Sequence, residues 1–97
     1  MKNFKNKVVV ITGAASGMGR SYALMFAKLG SKIAICDYDE KGLRETEKMV
    51  MELADVSVYA EKLDVSDKAG VYAFAQAVKA ELGNAHVIIN NAGVSGE

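Results

Sequence analysis

No stretch of this sequence is long and apolar enough to cross a membrane, and Met1–Lys7 lacks the hydrophobic segment of a secretory signal. It has no basic block either: twelve Lys and Arg balance twelve Asp and Glu, for a formal net charge of zero. Neither nucleic acid nor an anionic membrane surface is therefore an expected partner. The single cysteine, Cys36, cannot build a disulfide framework. Sitting in an apolar run, it reads as a small buried hydrophobe and fits a reducing, cytoplasmic setting. No metal site is expected. Proline is absent altogether, which by itself excludes nothing. At 97 residues, 51% of them hydrophobic, the chain holds one domain at most, with a modest core and no internal repeat or low-complexity linker.

What is present is organised around one stretch, Val8 to Gly19. Four consecutive β-branched residues, Val8–Ile11, predict a strand apolar on both faces, as in a covered parallel sheet. Glycines follow at 13, 17 and 19, then an amphipathic helical pattern in which Met18, Tyr22, Met25, Phe26 and Leu29 are expected on one stripe. Strand, glycine turn and helix together form the context in which a glycine pattern seats a phosphate. Gly13 permits the tight exit from the strand, Gly17 allows close approach of a ligand, and Gly19 lets the helix pack closely. The helix start offers N–H groups and a positive dipole end to an anion such as a pyrophosphate. The alternative is a glycine-rich turn without a ligand.

The same alternation then repeats. Gly30 ends the first helix, and Lys32–Cys36 predicts a second strand. A helix follows from about Asp39, its cap, to Leu53, with Leu43, Val50 and Leu53 inward; Gly42 weakens it slightly. Val56–Ala60, running on towards Leu63, predicts the third strand. Asp64 or Ser66 caps a third helix, with Val71, Phe74, Ala75, Val78 and Leu82 inward and Gly83 at its end. His86–Asn90 predicts the fourth strand. Strands alternating with helices imply a parallel sheet with right-handed crossovers, whose ligands bind at the carboxyl ends of the strands. Asp37 stands there, 24 positions beyond Gly13, near the distance at which an acid meets an adenosine ribose. A carboxylate accepts from both ribose hydroxyls and repels a 2′-phosphate. The alternative for Asp37 is to open the turn before Asp39.

Thr12-Gly13-x-x-x-Gly17-x-Gly19 resembles the T-G-x-x-x-G-x-G turn of the short-chain dehydrogenase/reductase family, and Asn90-Asn91-Ala92-Gly93 resembles its N-N-A-G hallmark. In that family an Asp and a small apolar residue after the third strand contact adenine, which implies that role for Asp64 and Val65; capping the next helix is the other role open to Asp64. The asparagines there steady the sheet and the ribose, and Ala-Gly leaves room on the nicotinamide side. The resemblance implies a Rossmann-type, doubly wound α/β fold truncated to four strands in order 3-2-1-4 with three helices. Residues 1–97 would be the N-terminal, incomplete part of a dinucleotide-binding domain. The implied cofactor-binding residues are Gly13, Ser16, Gly17, Met18, Gly19, Asp37, Asp64, Val65, Asn90, Asn91, Ala92 and Gly93. Ser16 and Tyr38 stand where NADP-using relatives often carry Arg or Lys, so the implied cofactor is NAD. His86 departs from the Asp common at the start of that strand, and is read as a surface or capping residue.

The family transfers hydride with a Tyr base and a Lys four residues later, whose ammonium lowers the phenol pKa. Four residues after Tyr22, Tyr38, Tyr59 and Tyr72 come Phe26, Gly42, Leu63 and Gln76, and all four tyrosines are expected in elements away from the Asn91–Gly93 rim. No catalytic residue is assigned. The expectation is the NAD(H)-binding portion of an oxidoreductase that oxidises an alcohol or reduces a ketone, with a homo-oligomeric parent and no catalysis by this chain alone. A truncated nucleotide-binding or interaction module without catalysis is the alternative. The strand order leaves the fourth strand at a sheet edge, where Val87-Ile88-Ile89 carries no guarding charge, and self-association is expected from it.

Overall fold

The computed structural model describes residues 3–91. Four parallel strands, β1 (Val8–Thr12), β2 (Lys32–Asp37), β3 (Val58–Lys62) and β4 (Ala85–Asn90), form one sheet in the order β3-β2-β1-β4. Helices α1 (Gly17–Lys28), α2 (Glu40–Leu53) and α3 (Lys68–Glu81) connect them in turn. The parallel sheet is the one expected from the alternation of elements, and its doubly wound order is the one the family resemblance implies.

The period of two in a strand explains the two cores. Val9 and Ile11 of β1, with Ile33 and Ile35 of β2, face Ala23, Phe26, Ala27, Leu43 and Val50 of α1 and α2. Val8, Val10, Ala34 and Cys36 face the other way, onto Phe74, Val78 and Leu82 at α3. Each fully buried aliphatic side chain stabilises the fold by roughly 1.5–3 kcal/mol. Burial, with the nearby Asp37 and Glu61 carboxylates adding to it, pushes the Cys36 thiol up to about 12, so the group is an unreactive hydrophobe.

Several details differ from expectation. The inner face of α1 is Gly19, Ala23, Phe26 and Ala27, whereas Met18, Met25 and Leu29 are exposed. Close packing against β1 and the preceding turn selects small residues there; of the expected stripe, Phe26 is buried and Tyr22 packs against the core, while Met18, Met25 and Leu29 point outward. At its far end α2 leaves Leu53 exposed, and Val71 and Ala75 are exposed on α3. That helix lies by itself on its face among the described residues, so only its central line, Phe74 and Val78 with Leu82 beyond, is covered. The third strand begins two residues later than expected, and α3 is capped by Asp67, not by Asp64 or Ser66. His86 is more than a surface residue: its Nδ1 accepts from the Val8 backbone N–H at 3.1 Å, where the β1–β4 register shifts by one residue.

Candidate functional site at the strand ends

A cleft of about 510 Å³ opens at the carboxyl ends of the strands, lined by Gly13, Ser16, Gly17, Met18, Asp37, Tyr38, Leu63, Asp64, Val65 and Asn91. The turn between β1 and α1 forms one wall. Gly13 (φ 68°) and Gly17 (φ 57°) both occupy the left-handed region, where a side chain would be strained. Between them the turn is fastened from several directions. The Ala14 N–H donates to the Cys36 carbonyl at 3.2 Å, and the Asn91 amide donates to the Gly13 carbonyl at 3.2 Å. A Cβ on Gly19 would collide with that Gly13 carbonyl group, so α1 and its own entry turn touch backbone to backbone.

The start of α1 is open. Its cap residue, Ser16, makes no side-chain capping bond, and no acidic side chain stands in its first turn. Its N-terminal dipole end therefore faces the cleft without a carboxylate of its own, an arrangement suited to an anion. Across the cleft, Asp37 Oδ2 accepts from the Ala15 N–H and Oδ1 from the Asp39 N–H, both at 2.9 Å. It thus makes the turn contact and faces the cleft at the same time. Asp64 Oδ1 accepts from the N–H and hydroxyl of Ser66 at 3.0 and 2.8 Å, bonds that hold its carboxyl below the usual carboxylate range.

Eight of the residues expected from the sequence meet here: Gly13, Ser16, Gly17, Met18, Asp37, Asp64, Val65 and Asn91. Gly19 is buried behind the turn. Asn90 takes a structural position, its Oδ1 accepting from the Thr12 hydroxyl at 3.0 Å, and it lines an adjoining apolar groove between α3 and β4 that shares Leu63 and Val65 with the cleft. Ala92 and Gly93 lie outside the described residues. Two lining residues are not among the expected binders, although the sequence marks Tyr38 as a position without Arg or Lys. Leu63 ends the third strand region, and Tyr38, expected within an element away from this rim, stands in the bend after β2, 67% exposed. The Lys62 ammonium lies 5.2 Å from the Tyr38 ring centre, so β3 supplies a cation near a position where the sequence shows none. No cluster of metal-ligating side chains occurs among the described residues.

The sequence model of one protein family, short chain dehydrogenase, matches residues 7–97. Human epidermal retinol dehydrogenase 2 is 46% identical over 93 residues, which is 96% of this chain and 30% of that protein. Among solved structures, a short chain dehydrogenase/reductase from Burkholderia phymatum in complex with NAD superposes with a TM-score of 0.85 at 40% identity, over 91% of this chain and 31% of that one. The L-sorbose reductase from Gluconobacter frateurii, complexed with NADPH and L-sorbose, gives 0.88 at 34% identity, over 96% and 36%. The chain thus spans about a third or less of the length of the curated relatives it matches, from 15% to 34%.

Proposed function

Because the chain belongs to the short-chain dehydrogenase family, we propose that it forms the NAD(H)-binding portion of an oxidoreductase interconverting an alcohol and a ketone. The observation that carries this reading is the convergence of the glycine turn, Asp37, the Asp64–Val65 pair and Asn91 on one cleft. In this reading the bound cofactor supplies a nicotinamide ring that accepts or donates hydride, and the chain's own residues bind and orient it. The open start of α1 and the turn between Gly13 and Gly17 seat the pyrophosphate. Tyr38 and Val65, both exposed, flank the adenine. Asp37 meets the adenosine ribose: a carboxylate has about four lone-pair sites, so two bonds to backbone N–H groups leave acceptors for ribose hydroxyls. Its charge opposes a 2′-phosphate, while Lys62 acts in the other direction from beyond the Tyr38 ring. We assign no catalytic residue to this chain. A cytoplasmic setting belongs to the same proposal, supported by the buried free thiol of Cys36, as does a homo-oligomeric parent.

Titration calorimetry with NAD+ and NADP+ tests the reading. NAD+ should bind more tightly by about ten-fold or more, and Asp37→Ala should remove the difference. Equal or tighter binding of NADP+ by the unaltered chain would contradict the role given to Asp37.

A further inference from the structure

Arg20 follows the glycine turn directly, yet its guanidinium turns away from the cleft and towards α2. Its Nη2 donates to the Ala15 carbonyl at 2.6 Å and to the Gly42 carbonyl at 3.1 Å, and its Nε donates to the Thr46 hydroxyl at 2.8 Å. The hydroxyl of Thr46, wholly buried, donates in turn to the Ala14 carbonyl at 2.7 Å. Two consecutive carbonyls of the turn are thereby held on the α2 side. Gly42 and Thr46 lie one helical turn apart on one face of α2, and a Cβ on Gly42 would stand 2.7 Å from the Ala15 oxygen. The turn rests against that face.

In a trans peptide the C=O and the following N–H point in opposite directions. With the Ala14 carbonyl held towards Thr46, the Ala15 N–H points into the cleft, where it meets Asp37 at 2.9 Å. The same geometry, with the Ala15 carbonyl held by Arg20, aims the Ser16 N–H away from α2 and towards the cleft. The glycines at 13 and 17, both in the left-handed region, are swivels on either side of these two peptides, and a turn between swivels needs a latch. We infer that Arg20, with Thr46, is a positioning residue that locks the Ala14–Ser16 peptides, so that the Ala15 N–H stays on Asp37 and the Ser16 N–H faces the bound phosphates. This rests on the dinucleotide reading above.

Amide-resolved NMR of the whole chain tests the latch with two readouts. Without ligand, Arg20→Met and Thr46→Val should speed hydrogen exchange at Ala15, whose N–H is held by Asp37, while exchange in β2 stays as it was. In titrations, Arg20→Met should weaken ADP about ten-fold and leave adenosine within about two-fold, because only ADP uses the turn. Thr46→Val should reproduce most of that loss, Thr46→Ser should retain affinity, and the double variant should be little worse than Arg20→Met alone. Arg20→Lys keeps the charge without the fork and should bind ADP as poorly as Arg20→Met. Full rescue by Arg20→Lys, equal losses for adenosine and ADP, or unchanged exchange at Ala15 would each overturn the inference. Failure of the unaltered chain to bind ADP would instead remove the dinucleotide reading, and the exchange data would still decide whether the latch exists.

Discussion

The three helices begin with the same spacing and do different things with it. Each has a cap residue three positions before a glycine: Ser16 and Gly19, Asp39 and Gly42, Asp67 and Gly70. In α2 and α3 the aspartate accepts from the glycine N–H, at 3.2 and 3.1 Å. The missing side chain makes room for the carboxylate, since a Cβ there would stand 2.9 and 2.7 Å from its other oxygen, Oδ2. Those helix starts are closed by a carboxylate of their own. In α1 the cap is an uncharged serine in a fully extended conformation that makes no capping bond, and the glycine is used to press α1 against the Gly13 carbonyl. The same local grammar yields two sealed helix starts and one open one, and the open one borders the cleft. An anion seat is made here by withholding a cap.

Substitutions that erase this difference should have the largest effects. Gly19→Ala sets two terms against each other. Helix propensity favours alanine by about 1 kcal/mol, but overpacking against backbone costs about 1–3 kcal/mol or more. The collision is with a carbonyl that Asn91 also holds, so we expect the steric term to win, with a lower urea midpoint and loss of NAD+ binding. Unchanged stability would mean that α1 can slide away from its turn.

Ser16→Asp would give α1 the kind of cap its neighbours have. We expect stability to hold or rise by up to about 1 kcal/mol, because an acid at a helix start suits the dipole. NAD+ affinity should fall about ten-fold or more, as a second negative charge enters the phosphate seat. Stability and binding should thus move in opposite directions, and a variant that binds NAD+ as well as the unaltered chain would break the comparison.

The smallest expected effect is at a sealed start. Asp67→Ala should cost about 1 kcal/mol in a denaturant titration and leave NAD+ affinity unchanged, because Asp67 caps α3 outside the cleft.

These contrasts were only partly legible in the sequence. The alternation of elements, the parallel sheet and the cap at Asp39 follow from apolar periodicity and cap chemistry, which act over a few residues, whereas the strand order is what the family resemblance implies. The cap of α3 was not decided by such rules: Asp64, Ser66 and Asp67 are all competent caps, and only the geometry that brings the Gly70 N–H to Asp67 selects among them. The inner face of α1 was misjudged because bulk suggested Met18, Met25 and Leu29, while close approach to β1 demanded small residues. For the site, glycine spacing and Asp37 were readable, and the support behind them was not. Arg20 reaches partners 22 and 26 residues away on another helix, so its role leaves no local pattern. Gly42, which looked like a weak point in α2, is where the glycine turn comes to rest.

The central claim is that the open start of α1 and the strand ends beside it form the nucleotide site, and that the apolar groove between α3 and β4 does not. Amide shift mapping with NAD+ tests it most directly. The account predicts the largest, saturable shifts at Gly13, Ser16, Gly17, Met18, Tyr38 and Asn91, with Gln76, Lys79 and Ile88 in the groove unmoved. Saturable shifts centred on Gln76, Lys79 and Ile88, with the glycine turn silent, would contradict it.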